Sequence, residues 1–344
     1  MKPFWNSLVK SLRLVISGLF LSTISSMVVS ISFADEKTIP EVNAAKQKAV
    51  LVTGATSGIG KNIAMTLADK GYFVYAGARK QKDIDALNAI NNVQAVKLDV
   101  TKQSDIDAAV EFIQTQERGL YGLVNNAGVG VFAPLIEISE EDMQFQMDVN
   151  LFGPYRVTKA FAPMIIESKG RISTIGSISG ANASRFFGAY SMSKFAVEAF
   201  TESLAQEMAK FGVGVSVVEP GNYNSKIAAS ALKRMEKNAK KNFKSLYQQE
   251  FQGLSKYLTG DRSRFKEPDD VSAAVMDALF SETPKTRYMV VPVASEGEWA
   301  LRGMIKRMVQ MNHAHQFSLS RDQLIEILDQ ELGKLQPNSK APAQ

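Results

Sequence analysis

The run Ala49-Val50-Leu51-Val52, followed by Thr53-Gly54-Ala55-Thr56-Ser57-Gly58-Ile59-Gly60, constrains this chain more than any other stretch. Consecutive apolar residues without polar alternation suit a strand covered on both faces, as in a parallel sheet. The glycines permit a tight turn, after which Ile63, Ala64, Leu67 and Ala68 fall on one helical stripe. Strand, glycine turn and helix together aim free backbone N–H groups and a helix N-terminus at a phosphate. The spacing is Gly-x-x-x-Gly-x-Gly, not the common Gly-x-Gly-x-x-Gly fingerprint. Taken alone, the turn is either a phosphate cradle or a tight connection.

The alternation continues along the chain. Strands are predicted at 49–53, 72–77, 93–98, 122–126, 171–176, 213–218 and 287–293, with helices between them, the pattern of a parallel, doubly wound sheet. At 344 residues with 45% apolar content the chain can bury one large core. An α/β domain of about 250 residues is an ordinary size for that. The helix after Ser139 begins with a serine N-cap and Asp142 at N3, close to a capping box. It is expected to run through Asn150 toward Met164, bent at Pro154.

Composition narrows the chemistry. With no cysteine, disulfides, thiolate catalysis and cysteine-metal sites are excluded. The two histidines, His313 and His315, lie in a polar stretch and read as surface residues rather than a metal pair. The net charge of +5 is modest, and no Lys/Arg-dense stripe with aromatics points to nucleic acid.

Downstream, Ser177 precedes Tyr190, and Lys194 follows Tyr190 by one helical turn on the same face. An ammonium about 5 Å from a phenol, at an effective dielectric of about 20, favours the phenolate by roughly 3 kcal/mol, about two pK units. Lys194 is therefore expected to lower the Tyr190 pKa toward the range of a general acid/base.

Together these motifs resemble the short-chain dehydrogenase/reductase family from about residue 48 to 293. Thr53, Gly54, Ser57, Gly58, Ile59 and Gly60 match that family's cofactor turn. Leu98-Asp99-Val100 matches the adenine contact, Asn126-Ala127-Gly128 the central-strand motif, and Pro220-Gly221 the turn beside the nicotinamide. Asn150, Ser177, Tyr190 and Lys194 match the catalytic positions. The resemblance implies a Rossmann-type, seven-stranded parallel sheet. It also implies that Tyr190 is the general acid/base, that Ser177 orients the substrate oxygen, and that Asn150 holds a water in the proton path. Lys194 would further bind the nicotinamide ribose. Around Tyr190, and in Glu219-Pro220-Gly221-Asn222, the chain is most similar to the steroid, retinol and hydroxybutyrate branches. The family usually has threonine shortly after Pro-Gly; here Ser225 must serve.

Cofactor choice rests on the end of the second strand. Tyr75-Ala76-Gly77-Ala78 closes without the acid that would grip a ribose 2′-hydroxyl, and Arg79 and Lys80 follow. A guanidinium forms charge-assisted bonds to a 2′-phosphate, whereas Asp83 and Asp85 come too late to repel one. NADP(H) is thus favoured over NAD(H).

Two regions lie outside the nucleotide-binding pattern. Residues 222–265 form an amphipathic helical insertion, where the family carries its substrate lid. Its apolar face either covers a lipophilic substrate or packs on the core. Residues 294–344 form a helical extension with a Pro/Lys/Ala end expected to be disordered. At the other terminus, Lys2, Lys10 and Arg13 precede an apolar run over 14–31, and a linker follows at 35–47. Residues 1–34 read as an export signal cleaved after Ala34 or as a membrane anchor. The positive flank argues export, while nicotinamide supply argues the cytosol. A small-molecule carbonyl or alcohol is the expected partner, with a homo-oligomer compatible. Two other functions share these residues: a 3-oxoacyl-thioester reductase, and a nucleotide-sensing module without catalysis.

Overall fold

The computed structural model describes residues 47–239, 245–261 and 265–335. The expected signal or anchor over 1–34, nearly all of the linker, and the chain end beyond residue 335 lie outside the described residues.

All seven predicted strands form. They are β1 (Ala49–Val52), β2 (Phe73–Ala78), β3 (Val93–Lys97), β4 (Gly122–Asn125), β5 (Arg171–Ile175), β6 (Gly214–Pro220) and β7 (Arg287–Val290). They pair in parallel in the order β3-β2-β1-β4-β5-β6-β7, reversing direction of growth beside β1. That reversal opens a crevice at the carboxyl ends of β1 and β4, where α/β sheets bind ligands.

Helices cover both faces, which explains the unbroken apolar strands. Alternate residues of β1 serve opposite cores: Val50 and Val52 meet Ile63, Leu67, Val271 and Leu279, while Ala49 and Leu51 meet Ile106, Ile113, Phe161 and Ile165. The first group comes from α1 (Gly58–Asp69) and α9 (Asp269–Phe280). The second comes from α3 (Gln103–Thr115) and α5 (Gly153–Glu167); α2 (Gln81–Asn88) flanks β3.

The helix begun by Ser139 runs through Asn150 to Glu167, as expected, but widens on the way. Ser139 Oγ accepts from the Asp142 N–H at 3.2 Å, and α4 (Glu140–Met147) follows. A π-helical turn over Asp148–Phe152 then separates α4 from α5. The helix is thus continuous through this widened turn, and Pro154 follows it directly at the start of α5.

The insertion contains α7 (Ile227–Ala239) and α8 (Gln248–Thr259). Ala228, Ala231 and Leu258 pack with Phe132, Phe187 and Tyr190. Ion pairs of Arg234 with Asp142 and of Arg185 with Glu250 tie it to the body. Beyond β7 come α10 (Ala294–Asn312) and α11 (Arg321–Lys334), the latter opened by a capping box between Ser320 and Gln323. Among the described residues no helix is long and apolar enough to cross a membrane.

Candidate active site

The glycine turn is built to leave backbone exposed. Gly54 and Gly58 have φ of +67° and +54°, a region that side chains rarely adopt. A Cβ on Gly60 would fall 2.2 Å from Asn126 Nδ2, so no larger residue fits there. Asn126 in turn donates to the carbonyls of Thr53 and Gly54, at 2.9 and 3.2 Å. Ser57 begins α1 in extended backbone without a side-chain cap. The first N–H groups of α1 therefore face the cleft unclaimed by a capping side chain, suited to a phosphate.

Four elements bring the catalytic candidates together. Asn150 rides on the π turn, fully buried. Its Oδ1 accepts from the Val129 N–H at 2.8 Å, and its Nδ2 donates to the Val129 carbonyl at 3.0 Å and to Ser193 Oγ at 3.2 Å. Ser177 begins the single 3₁₀ turn Ile178–Gly180 after β5. Tyr190 and Lys194 lie one turn apart on α6 (Gly188–Ala209).

The electrostatics correct the simple pair picture. Burial pushes the Tyr190 phenol above its ordinary value, and the hydrogen bond with Ser177 offsets only part of the rise. Lys194 Nζ lies 5.7 Å from the centre of the Tyr190 ring and donates to the Ile175 carbonyl at 2.7 Å. Burial pushes this ammonium down to about 8, against support from Glu198. Desolvation acts on both groups of the pair, so the lysine does not here produce the expected lowering of the phenol.

Behind Lys194 lies a charged cluster that the sequence did not reveal. Glu198 is one turn further along α6, Glu219 ends β6 beside Pro220, and Arg287 on β7 reaches both, at 2.7 and 3.3 Å. Burial raises the Glu219 carboxyl to about 7, with Glu198 adding to the rise and Arg287 opposing it. The pairing crosses three elements, so no spacing rule could have found it. Glu296 was missed as well. From the first turn of α10 it accepts from Asn222 N at 2.8 Å and Asn222 Nδ2 at 2.9 Å, fixing the loop after Gly221.

A single cleft of about 710 Å³ collects Gly54, Ser57, Gly58, Ile59, Gly60, Arg79, Asp99, Val100, Asn126, Ala127, Gly128, Asn150, Ser177, Tyr190, Lys194, Pro220, Gly221 and Ser225. Thr53 is the exception among the anticipated residues. It is buried, and its Oγ1 accepts from the N–H groups of Asn126 and Ala127 at 2.9 and 3.0 Å. It braces the cradle from behind. Arg79 stands mostly exposed at the cleft mouth, with Nη1 3.9 Å from Asp99 Oδ2. Phe132, Phe187 and Leu258, packed together, give the cleft an apolar end, and Ile227 and Trp299 line it as well. The insertion's apolar face thus packs on the body and lines the cleft at once. Among the described residues no cluster of three acidic or histidine side chains is placed to hold a metal ion.

The family model for short chain dehydrogenases matches residues 48–236, and the chain belongs to that family. It is 37% identical to the mitochondrial D-beta-hydroxybutyrate dehydrogenase of Bos taurus over 267 residues, covering 70% of this chain and 76% of that one. It is 32% identical to retinol dehydrogenase 7 of Mus musculus over 283 residues, 78% of this chain and 88% of the other. A solved short-chain dehydrogenase from Streptomyces avermitilis superposes with a TM-score of 0.63 at 26% identity, covering 83% and 98% of the two chains. Solved chains of this fold include complexes with NAD and with NADP. The protein is an oxidoreductase of the branch that interconverts alcohols and carbonyls.

Proposed function

We propose that the protein is an NADP(H)-dependent oxidoreductase acting on a lipophilic secondary alcohol or its ketone. The observation that carries this is the convergence of Tyr190, Ser177, Lys194 and Asn150 on the nucleotide cradle, in a cleft whose far end is apolar. A nicotinamide dinucleotide fits the residues present: glycines from which positive φ or crowding excludes a side chain, an uncapped helix N-terminus, and Arg79 at the mouth with no acid in its place. The cofactor would supply or accept hydride at the substrate carbon.

The rest falls to the chain. Ser177 hydrogen-bonds the substrate oxygen and orients it. Tyr190 gives that oxygen a proton during reduction and takes it back during oxidation, a role suited to a phenol kept protonated by burial. Lys194 holds the ribose side of the nucleotide and supplies positive charge beside the phenol. Asn150, anchored at both ends of its amide by Val129, positions a water in the path to solvent. Arg79 engages the 2′-phosphate and Asp99 the adenine side. The apolar wall from Phe132, Phe187, Leu258 and Trp299 favours a hydrocarbon-rich substrate.

The direct test is a panel of ketones and secondary alcohols of graded chain length, assayed on the full chain with NADPH, NADP+, NADH and NAD+. Turnover rising with apolar size, and with the phosphorylated cofactor, is expected. No turnover of any lipophilic member, or a clear preference for short polar hydroxy acids, would refute the substrate assignment.

A further inference from the structure

Ser177 sits on a turn with a glycine at each end, and both glycines face one buried side chain. A Cβ on Gly176 would fall 3.0 Å from Glu198 Oε1 and 2.8 Å from Val217 Cγ2. A Cβ on Gly180 would fall 3.1 Å from the same Glu198 oxygen and 3.0 Å from the Lys194 carbonyl. Neither glycine has a positive φ, so room rather than backbone conformation excludes a side chain at both positions. The Glu198 carboxyl therefore lies against the turn that presents Ser177 to the cleft.

Glu198 enters this space from α6, one turn after Lys194. Its Oε2 accepts from Arg287 Nη2 at 2.7 Å and from Nε at 3.2 Å, which ties β7 to the helix. Its Oε1 is buried and takes no hydrogen bond from an amide, hydroxyl or cation of the described residues. Glu219, at the end of β6, hydrogen-bonds with Glu198, and two carboxyls can do so only by keeping a proton between them. The charged groups around Glu198 are thus Lys194 and Glu202 on α6, Glu219 on β6 and Arg287 on β7, while Gly176 and the 3₁₀ turn add none. Three carboxyls face two cations, and the retained proton brings the cluster to neutrality. Glu198 is the carboxyl whose charge supports Lys194 against burial.

We propose that Glu198 is a positioning residue for the reaction: its carboxyl packs the Ser177 turn from behind, and its charge holds Lys194 as an ammonium in the cleft. The inference rests on the roles given above to Ser177 and Lys194, and deepens them. Lys194 is tethered to the Ile175 carbonyl, one residue before Gly176, so the ammonium and the Ser177 turn share one anchor point at the end of β5. Glu198 meets both. One side chain thereby sets the hydroxyl that orients the substrate and the cation beside the phenol. Holding β7 to α6 would need only Oε2, the oxygen that Arg287 binds; Oε1 is directed at the turn instead.

Lysine labelled with 13C at Cε in the full chain gives a direct test, the Lys194 signal being assigned by its loss in Lys194→Arg. Glu198→Gln keeps the shape of the side chain and removes its charge. The pH at which Lys194 loses its proton should fall by about one unit, and the alkaline limb of the turnover profile should move down with it. Turnover lost near pH 8 should return on acidification. Glu198→Asp puts the charge back and should restore most of the profile. Glu219→Gln leaves the charge on Glu198 and should not lower the Lys194 titration. Glu198→Ala also empties the space behind the turn, and should raise the KM for the alcohol at every pH. Thermal melts show which variants fold, and the glutamine and aspartate variants carry the test if the alanine variant does not. A Lys194 titration unchanged by Glu198→Gln would overturn the proposal and leave Glu198 as a partner of Arg287 alone. If the titration moves but no substrate is turned over, the proposed function fails while the link from Glu198 to Lys194 stands.

Discussion

Tyr190 and Lys194 are held where water reaches them poorly, and that disfavours charge on both. Burial lifts the phenol and pushes the ammonium down to about 8, so at neutral pH Tyr190 stays protonated and Lys194 stays charged. Tyr190→Phe keeps the ring and its contacts with Phe132 but removes the proton. Turnover should fall about a hundredfold to ten-thousandfold, with nucleotide affinity changed little. Activity within a few-fold of wild type would end the Tyr190 assignment. Lys194→Ala should lower turnover and nucleotide affinity together. Glu219 makes a different prediction. Its carboxyl is raised to about 7, so between its unfolded value near 4.5 and pH 7 only the folded chain keeps the proton. The folded state binds more protons across that window, and its stability therefore falls as pH rises through it. The thermal midpoint should drop from pH 5 to pH 8 in wild type, and drop less in Glu219→Gln, which cannot ionise. Equal slopes would show that the carboxyl is not buried as described. Every residue expected at the cleft was named by its motif, but Thr53 faces inward and the Glu198–Glu219–Arg287 cluster was invisible. Motifs record which residues recur together along the chain; desolvation and long-range charge pairing arise only when strands and helices meet.

At the scale of elements, strands were easier to read than the helix carrying Asn150. A strand buried on both faces leaves an unbroken apolar run, so the strands of this sheet fall within a few residues of expectation. The π turn over Asp148–Phe152 leaves no such mark, because the extra residue that widens it carries no signature side chain. Proline drew attention to 154, and the irregular turn lies directly before it. The end of β2 carries the cofactor prediction. β2 stops at Ala78 without an acid, and Arg79 leans over the cleft mouth, held among the described residues only by a long contact to Asp99. An exposed ion pair of that length contributes little, so the guanidinium is available to a 2′-phosphate. Arg79→Asp replaces that attraction with repulsion and should cost NADPH affinity about tenfold to a hundredfold while sparing NADH. Parallel titrations of both cofactors measure it. A wild type that already prefers NADH would refute the strand-end argument.

For the molecule as a whole, the question is what the sheet requires of the chain before it. β1 begins at Ala49, and among the described residues the cleft is lined by Gly54 and later residues alone. The two cores on either side of the sheet are built from Ala49 onward. Among the described residues the contact nearest the start is at the last residue of the expected linker, where Gln47 Nε2 donates to the Gly71 carbonyl at 2.7 Å. Removing residues 1–34 should therefore leave both cores, the cradle and the apolar wall intact. We expect the shortened protein to melt within a few degrees of the full chain and to bind NADPH with the same affinity. The full chain, by contrast, should sediment with membranes until detergent is added, or else be recovered from its native host at a mass beginning at Asp35. Loss of nucleotide binding on shortening would mean that the first residues take part in the fold. A full-length chain without any membrane fraction would exclude both the anchor and the export signal.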